Sequence, residues 1–148
     1  MASWGALSTE ASNPASEKLD TLPTEDIVSL LLEEDSRGLE AAGRCRTEIA
    51  RAAAWVAEAL GAGGRVLCAG AGTSGRLGIL EAAECPPTFG TDPEQIRAVI
   101  AGGPEAVFSA REGSEDISED GARAVGELGK GDLLVALSAS SATPFVLG

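Results

Sequence analysis

The chain contains no histidine. That excludes His-ligated zinc sites, Ser-His-Asp triads and imidazole acid–base chemistry. Aromatic residues make up only 3% of the sequence, so a core must be built from Ala, Val, Leu and Ile. Basic residues are scarce: 11 Lys and Arg face 23 Asp and Glu, for a net charge of −12. That balance disfavours a duplex nucleic-acid partner, whose binding leans on a basic face. An anionic ligand would have to be held locally, by amides, hydroxyls or a few arginines, because the global field opposes it. Cysteine is sparse too. Cys45, Cys68 and Cys85 are odd in number and lack metal-ligand spacing, and they read as reduced thiols. The start, Met1 to Gly5, shows no basic region followed by an apolar one, and no apolar run reaches membrane-spanning length. The expectation is a soluble cytoplasmic protein with no membrane partner.

What is present is a chain of 148 residues, one domain or part of one, with 44% hydrophobic content and 19 glycines spread among apolar runs. Its organising stretch runs from Gly64 to Pro87. Arg65 to Ala69 is an apolar run suited to a buried strand, and Gly70-Ala71-Gly72-Thr73-Ser74-Gly75 is a glycine-rich turn with two hydroxyls. Arg76 to Glu84 reads as a helix stopped by Pro86-Pro87. Strand, glycine turn and helix together bring free amides and a helix dipole to one point, which favours an anion, most often a phosphate.

Residues 1–24, polar and with Pro14 and Pro23, read as an extended arm, followed by N-terminal helices over 25–60 and a partial α/β domain over 61–148. Thr24-Glu25-Asp26 resembles a helix start, with Thr24 as the capping residue. A first helix to Glu34 and a longer one over Asp35–Leu60 follow from the apolar spacing, and Gly61-Ala62-Gly63-Gly64 ends the second. Further strands are expected over Gln95–Ala101 and Asp132–Ser138, and helices over Glu105–Arg111 and Asp116–Leu128. Continuous apolar strands alternating with helices imply an α/β fold, a parallel sheet covered on both faces. Three strands are few for such a sheet, and the expectation is a truncation after the third. The first and third strands both end in small-residue turns at the carboxyl edge, where open parallel sheets bind ligands. The second such turn is Ser138-Ala139-Ser140-Ser141-Ala142-Thr143.

Residues 70–75 formally match G-x-G-x-x-G, a weak signal for a dinucleotide site. The acid that such a site wants at the end of the second strand is missing, since that end reads Ala101-Gly102-Gly103. No G-K-[ST] follows either, so the pattern is not that of an NTPase loop. Thr73 and Ser74 fit hydroxyls donating to a monophosphate, and the second hydroxyl cluster at the same edge favours phosphate binding over a plain packing turn. Glu81, Glu84, Glu112, Glu115 and Asp116 flank this site in sequence, but in an acidic chain the default carboxylate is solvated surface, and spacing singles out no catalytic pair.

These residues resemble a known family, the N-acetylmuramic acid 6-phosphate etherases of the sugar isomerase (SIS) superfamily. The likeness is carried by G-A-G-T-S-G-R-L-G over Gly70–Gly78 with A-E-C-P-P-T-F-G over Ala83–Gly90. Ser12-Asn13-Pro14-Ala15-Ser16 with Leu19-Asp20, Ile100-Ala101-Gly102-Gly103 and Glu112-Gly113-Ser114-Glu115-Asp116 add to it. It covers nearly all of this chain and about the N-terminal half of a typical member. The resemblance implies a three-layer SIS domain, a homodimer, and a phosphorylated amino sugar as partner. It implies cleavage of the lactyl ether of N-acetylmuramic acid 6-phosphate to D-lactate and N-acetylglucosamine 6-phosphate, by elimination and hydration, with no metal or organic cofactor. Glu84 falls on the acid that protonates the departing lactate oxygen, and Glu115 on the base that removes the proton beside the aldehyde carbon. One glutamate must be protonated and the other ionised, hence different environments. The amides of Gly72 to Gly75, with Thr73 and Ser74, would hold the phosphate, and Ser138, Ser140, Ser141 and Thr143 would close the site. Where members carry A-S-G-R-T-P-Y, this chain has Ala139-Ser140-Ser141-Ala142-Thr143-Pro144-Phe145, so Ala142 replaces an arginine. Glucokinase regulatory protein, built of SIS domains, is similar over Ala110–Asp116. A non-catalytic phosphosugar-binding regulator and an inactive fragment are therefore the alternatives.

Overall fold

A computed structural model describes residues 7–148, so the first six residues of the expected arm lie outside it. The chain forms two compact units, one ending at Ala53 and one running from Ala54 to Gly148. In the first, residues 8–21 form three single 3-10 turns. The Asn13 side chain accepts the Ala15 amide at 2.9 Å to open the second of them.

Helix α1 spans Thr24–Arg44 and α2 spans Arg46–Gly61. Pro23, not Thr24, stands at the α1 cap, and its carbonyl accepts the Ile27 amide at 3.1 Å. The break expected at Glu34 is absent. Arg37 pairs across it with Glu33 at 3.4 Å and Glu34 at 2.5 Å, one turn away on the same helical face. Such exposed pairs contribute a few tenths of a kcal/mol each. The interruption falls instead at Cys45, whose amide tightens onto the Ala42 carbonyl. Neither helix buries a residue. Leu31, Leu32, Leu39 and Ile49 are more than half exposed.

In the second unit, strands β1 (Val66–Gly70), β2 (Ile96–Ile100) and β3 (Leu133–Leu137) form one sheet in the order β2-β1-β3. All pairs are parallel: Val66 lies opposite Ile96 and Leu133, and Gly70 opposite Ile100 and Leu137. The central strand is the most buried, as its unbroken apolar run demands. Helix α3 (Gly72–Phe89) covers one face. There a Cβ on Gly78 would meet the Cys68 Cβ at 3.0 Å, and one on Gly75 the Ile100 Cγ1 at 2.5 Å. On the opposite face the core is Ala69, Ala101 and Phe145, with Ala124 and Val146 beside it from α4 (Ser118–Ala124) and α5 (Pro144–Leu147). Covering on both faces does not reach all of β3, where Leu134 and Ala136 stay exposed.

Several expected elements differ. Helix α3 begins at Gly72 and runs through Pro86 and Pro87 to Phe89. The prolines remove two donors from the last turn but not its acceptors. Gly90 donates to the Pro86 carbonyl at 2.9 Å and ends the helix at φ +69°, a conformation that glycine adopts without strain. The helix expected over Glu105–Arg111 is a single 3-10 turn at Pro104–Val107, and the one expected over Asp116–Leu128 shrinks to α4.

At the amino edge, Arg65 and Asp132 clamp β1 to β3. The Asp132 carboxylate accepts the Arg65 amide at 2.8 Å, its guanidinium at 2.7 and 3.2 Å, and the Gly129 amide at 2.9 Å. The side-chain bond from Arg65, followed by those two amides, holds the Asp132 carboxyl well below the usual carboxylate range.

Candidate functional site

The site lies at the carboxyl edge, where β1 passes into α3. Ala71 holds the helix cap in extended backbone and offers no side-chain acceptor, and Gly72 follows at φ +53°. The first amides of α3 are thus left without a side-chain cap. Gly75 is packed hard against β1: a Cβ there would stand 2.7 Å from the Gly70 carbonyl oxygen. The glycines of this turn let strand and helix approach, and that approach fixes where the helix start points.

A cavity of about 370 Å³ opens at this point. Gly72 and Thr73 form one part of its wall, Ala101 and Ala106 a second, and Arg111, Glu112, Ser114 and Glu115 a third. Thr143 reaches it from the turn after β3, and Arg76 from α3. The loop bearing Glu115 is brought over the site by Gly102, at φ +82°, where a Cβ would meet the Ser114 Oγ at 2.8 Å. Among the described residues, no group of three or more His, Cys, Asp or Glu is placed to hold a metal ion.

Of the residues singled out from sequence, Gly72, Thr73, Glu115 and Thr143 share this cavity. Ser74 and Gly75 lie in the same first turn of α3 but are not part of the wall, and Gly75 is buried in packing. Ser138 hydrogen-bonds Thr143 at 2.9 Å and Ser140 at 3.4 Å, so the second hydroxyl cluster is knitted together behind Thr143. Ser140 also accepts the Ala142 amide at 3.2 Å. Ser141 is exposed at φ +56°, a left-handed conformation unusual for a residue with a Cβ. Glu84 is exposed on α3, outside the cavity wall. It follows Gly72 by 12 residues, about 18 Å along the helix axis at 1.5 Å per residue.

Sequence reasoning passed over Arg76. Its Nε donates to the Val107 carbonyl at 2.9 Å and its Nη2 to the Ala106 carbonyl at 2.7 Å, tying α3 to the 3-10 turn after β2. The signal was a lone basic residue directly after the glycine turn of an acidic chain. Arg111, also on the wall, pairs with Glu105.

Residues 48–148 match the family model of the glucokinase regulatory protein N-terminal SIS domain. This chain belongs to the SIS-domain family. A Cutibacterium acnes protein named N-acetylmuramic acid 6-phosphate etherase is 49% identical over 95% of this chain and 47% of its own length. Proteins of the same name from Synechococcus sp. and Salinibacter ruber are each 47% identical, over 97% and 96% of this chain and 46% of their own lengths. The chain thus spans about half the length of the curated relatives it matches. The parallel α/β sheet read from the apolar runs agrees with this family. No helix among the described residues is long and apolar enough to cross a membrane.

Proposed function

We propose that the cavity at the start of α3 binds the phosphate of a phosphorylated amino sugar, and that the chain acts in cleaving the lactyl ether of N-acetylmuramic acid 6-phosphate in the cytoplasm. The observation that carries the phosphate reading is the uncapped helix start, with Gly72 and Thr73 on the wall of a cavity at the carboxyl edge of a parallel sheet. Thr73 and the first amides of α3 take the phosphate oxygens, and Thr143, braced by Ser138 and Ser140, closes the site.

The chemistry needs two proton transfers. The Glu115 carboxylate removes the proton from the carbon beside the open-chain aldehyde. The electron pair left behind forms a carbon–carbon double bond as the neighbouring carbon–oxygen ether bond breaks. Glu84 gives its proton to the departing lactate oxygen. Water then adds across the double bond, its oxygen going to the former ether carbon, which yields N-acetylglucosamine 6-phosphate. The aldehyde acidifies the first proton, so a carboxylate is base enough. In one copy Glu84 lies outside the cavity, and we assign it to the site of a second copy in a homodimer. The exposed Leu31, Leu32, Leu39 and Ile49 supply apolar surface for such an assembly.

Titration with N-acetylglucosamine 6-phosphate and with the unphosphorylated sugar tests the phosphate reading. Binding of the first alone is expected, and equal binding of both, or of neither, contradicts it. The match to the SIS domain of glucokinase regulatory protein favours a second reading, phosphosugar binding without turnover. Phosphate-dependent binding with no D-lactate formed would select it.

A further inference from the structure

Five arginines fall in the second unit. Arg65 pairs with Asp132, Arg97 with Glu94 and Glu127, Arg111 with Glu105 and Arg123 with Asp120. Arg76 alone among these five has no carboxylate partner. It is also part-buried and on the cavity wall. In a chain of net charge −12, an uncompensated cation held away from bulk solvent is a conspicuous departure.

The guanidinium is rigidly placed. The Val107 carbonyl accepts from its Nε and the Ala106 carbonyl from one hydrogen of its Nη2, along one edge of the plane. A guanidinium has five N–H donors, so three remain, and two of them, one on Nη1 and one on Nη2, lie along the end of the plane. Two parallel N–H groups at that spacing match a carboxylate in bidentate geometry. The two carbonyls neutralise none of the charge. They aim it.

We propose that Arg76 is the receptor for a carboxylate on the ligand, the second anion of a doubly anionic sugar, with the helix start of α3 taking the phosphate. This rests on the phosphosugar reading and sharpens it: the ligand carries its two negative groups at separate points, as the phosphate and the lactyl carboxylate of N-acetylmuramic acid 6-phosphate do. Arg76 binds and positions the lactyl arm, and transfers no proton itself.

The test is calorimetric titration of the full chain in a Glu115→Gln background, which stops turnover. The ligands are N-acetylmuramic acid 6-phosphate and its lactyl methyl ester, which keeps the phosphate and loses the carboxylate charge. With Arg76 present, the acid binds roughly ten- to a hundredfold more tightly than the ester, the range for a charge-assisted hydrogen bond. Adding Arg76→Gln brings acid and ester to the same affinity, with the ester unchanged from the parent. Arg76→Lys keeps the charge without the fork and retains part of the preference. Equal weakening of acid and ester by Arg76→Gln would make the arginine a brace for the loop or a phosphate contact, and would overturn the assignment. No acid–ester difference with Arg76 in place would overturn it too, whether or not Arg76→Gln folds. Failure to bind either ligand would overturn the phosphosugar reading as well, and is distinct from both.

Discussion

Consider a chain carrying Glu84→Gln and another carrying Glu115→Gln, each purified and then mixed. Within one copy, Glu84 stands about 18 Å along α3 from the residue that opens the cavity. A round cavity of about 370 Å³ is only about 9 Å across. The proposed acid and base must each come within about 3 Å of the atoms they serve, so under the proposed mechanism the two glutamates of one copy are not expected to act on one sugar. Each single variant is expected to lose roughly a hundred- to ten-thousandfold in D-lactate release. In a symmetric dimer whose sites each take Glu115 from one copy and Glu84 from the other, a mixed dimer holds one intact site and one doubly altered site. Random exchange makes about half of the dimers mixed, so the mixture recovers about a quarter of the parent rate. The assay is D-lactate formed against time, after incubation long enough for subunits to exchange. Glu81→Gln, an exposed neighbour on the same helix, serves as a control that keeps the parent rate. No recovery, from variants shown to exchange subunits, would refute the shared site.

Three further predictions concern the scaffold. Gly75→Ala would set a Cβ 2.5 Å from Ile100 Cγ1 and 2.7 Å from the Gly70 oxygen, and is expected to cost about 1–3 kcal/mol in a denaturant melt. An unchanged midpoint would show that α3 does not press on β1 as described. Ser141→Gly should stabilise the chain by about 1 kcal/mol, because it relieves a left-handed residue that carries a Cβ; a lower midpoint would contradict this. Because the folded state depresses the Asp132 carboxyl, its contribution is fully present above the unfolded carboxylate value, about pH 4, and is lost as pH falls below that. Asp132→Asn should therefore melt earlier than the parent at pH 7, and the gap should close towards pH 2 in paired thermal melts. A gap that stays constant with pH would sink the clamp.

The strands were readable because Val, Leu, Ile and Ala dominate each of them, even with Arg97 inside β2, and each of their six ends shifted by a single residue. The glycine turn was readable for a related reason, since its spacing carries the packing of α3 on β1. Helix limits were less so. Local rules stop a helix at Pro86, yet a proline near a helix end leaves its carbonyl free, and Gly90 uses it. The division expected at Asp35 rested on apolar spacing alone; no glycine or proline stands there, and one helix runs through it, with Arg37 paired to Glu33 and Glu34. The clamp at the amino edge joins residues 67 apart in sequence, and the Arg76–Val107 hydrogen bond joins residues 31 apart. Neither leaves a local pattern. Glu115 and Thr143 reach one cavity only because β2 and β3 flank β1, a consequence of strand order that no stretch of sequence states by itself.

The central claim is ether cleavage by elimination and hydration at the start of α3. Its most direct test is to incubate the folded chain with N-acetylmuramic acid 6-phosphate in water enriched in heavy oxygen, and to weigh both products. The account predicts D-lactate without the label and N-acetylglucosamine 6-phosphate carrying one labelled oxygen at the former ether carbon. Label in the lactate, or no lactate from a chain that binds the sugar, would contradict it.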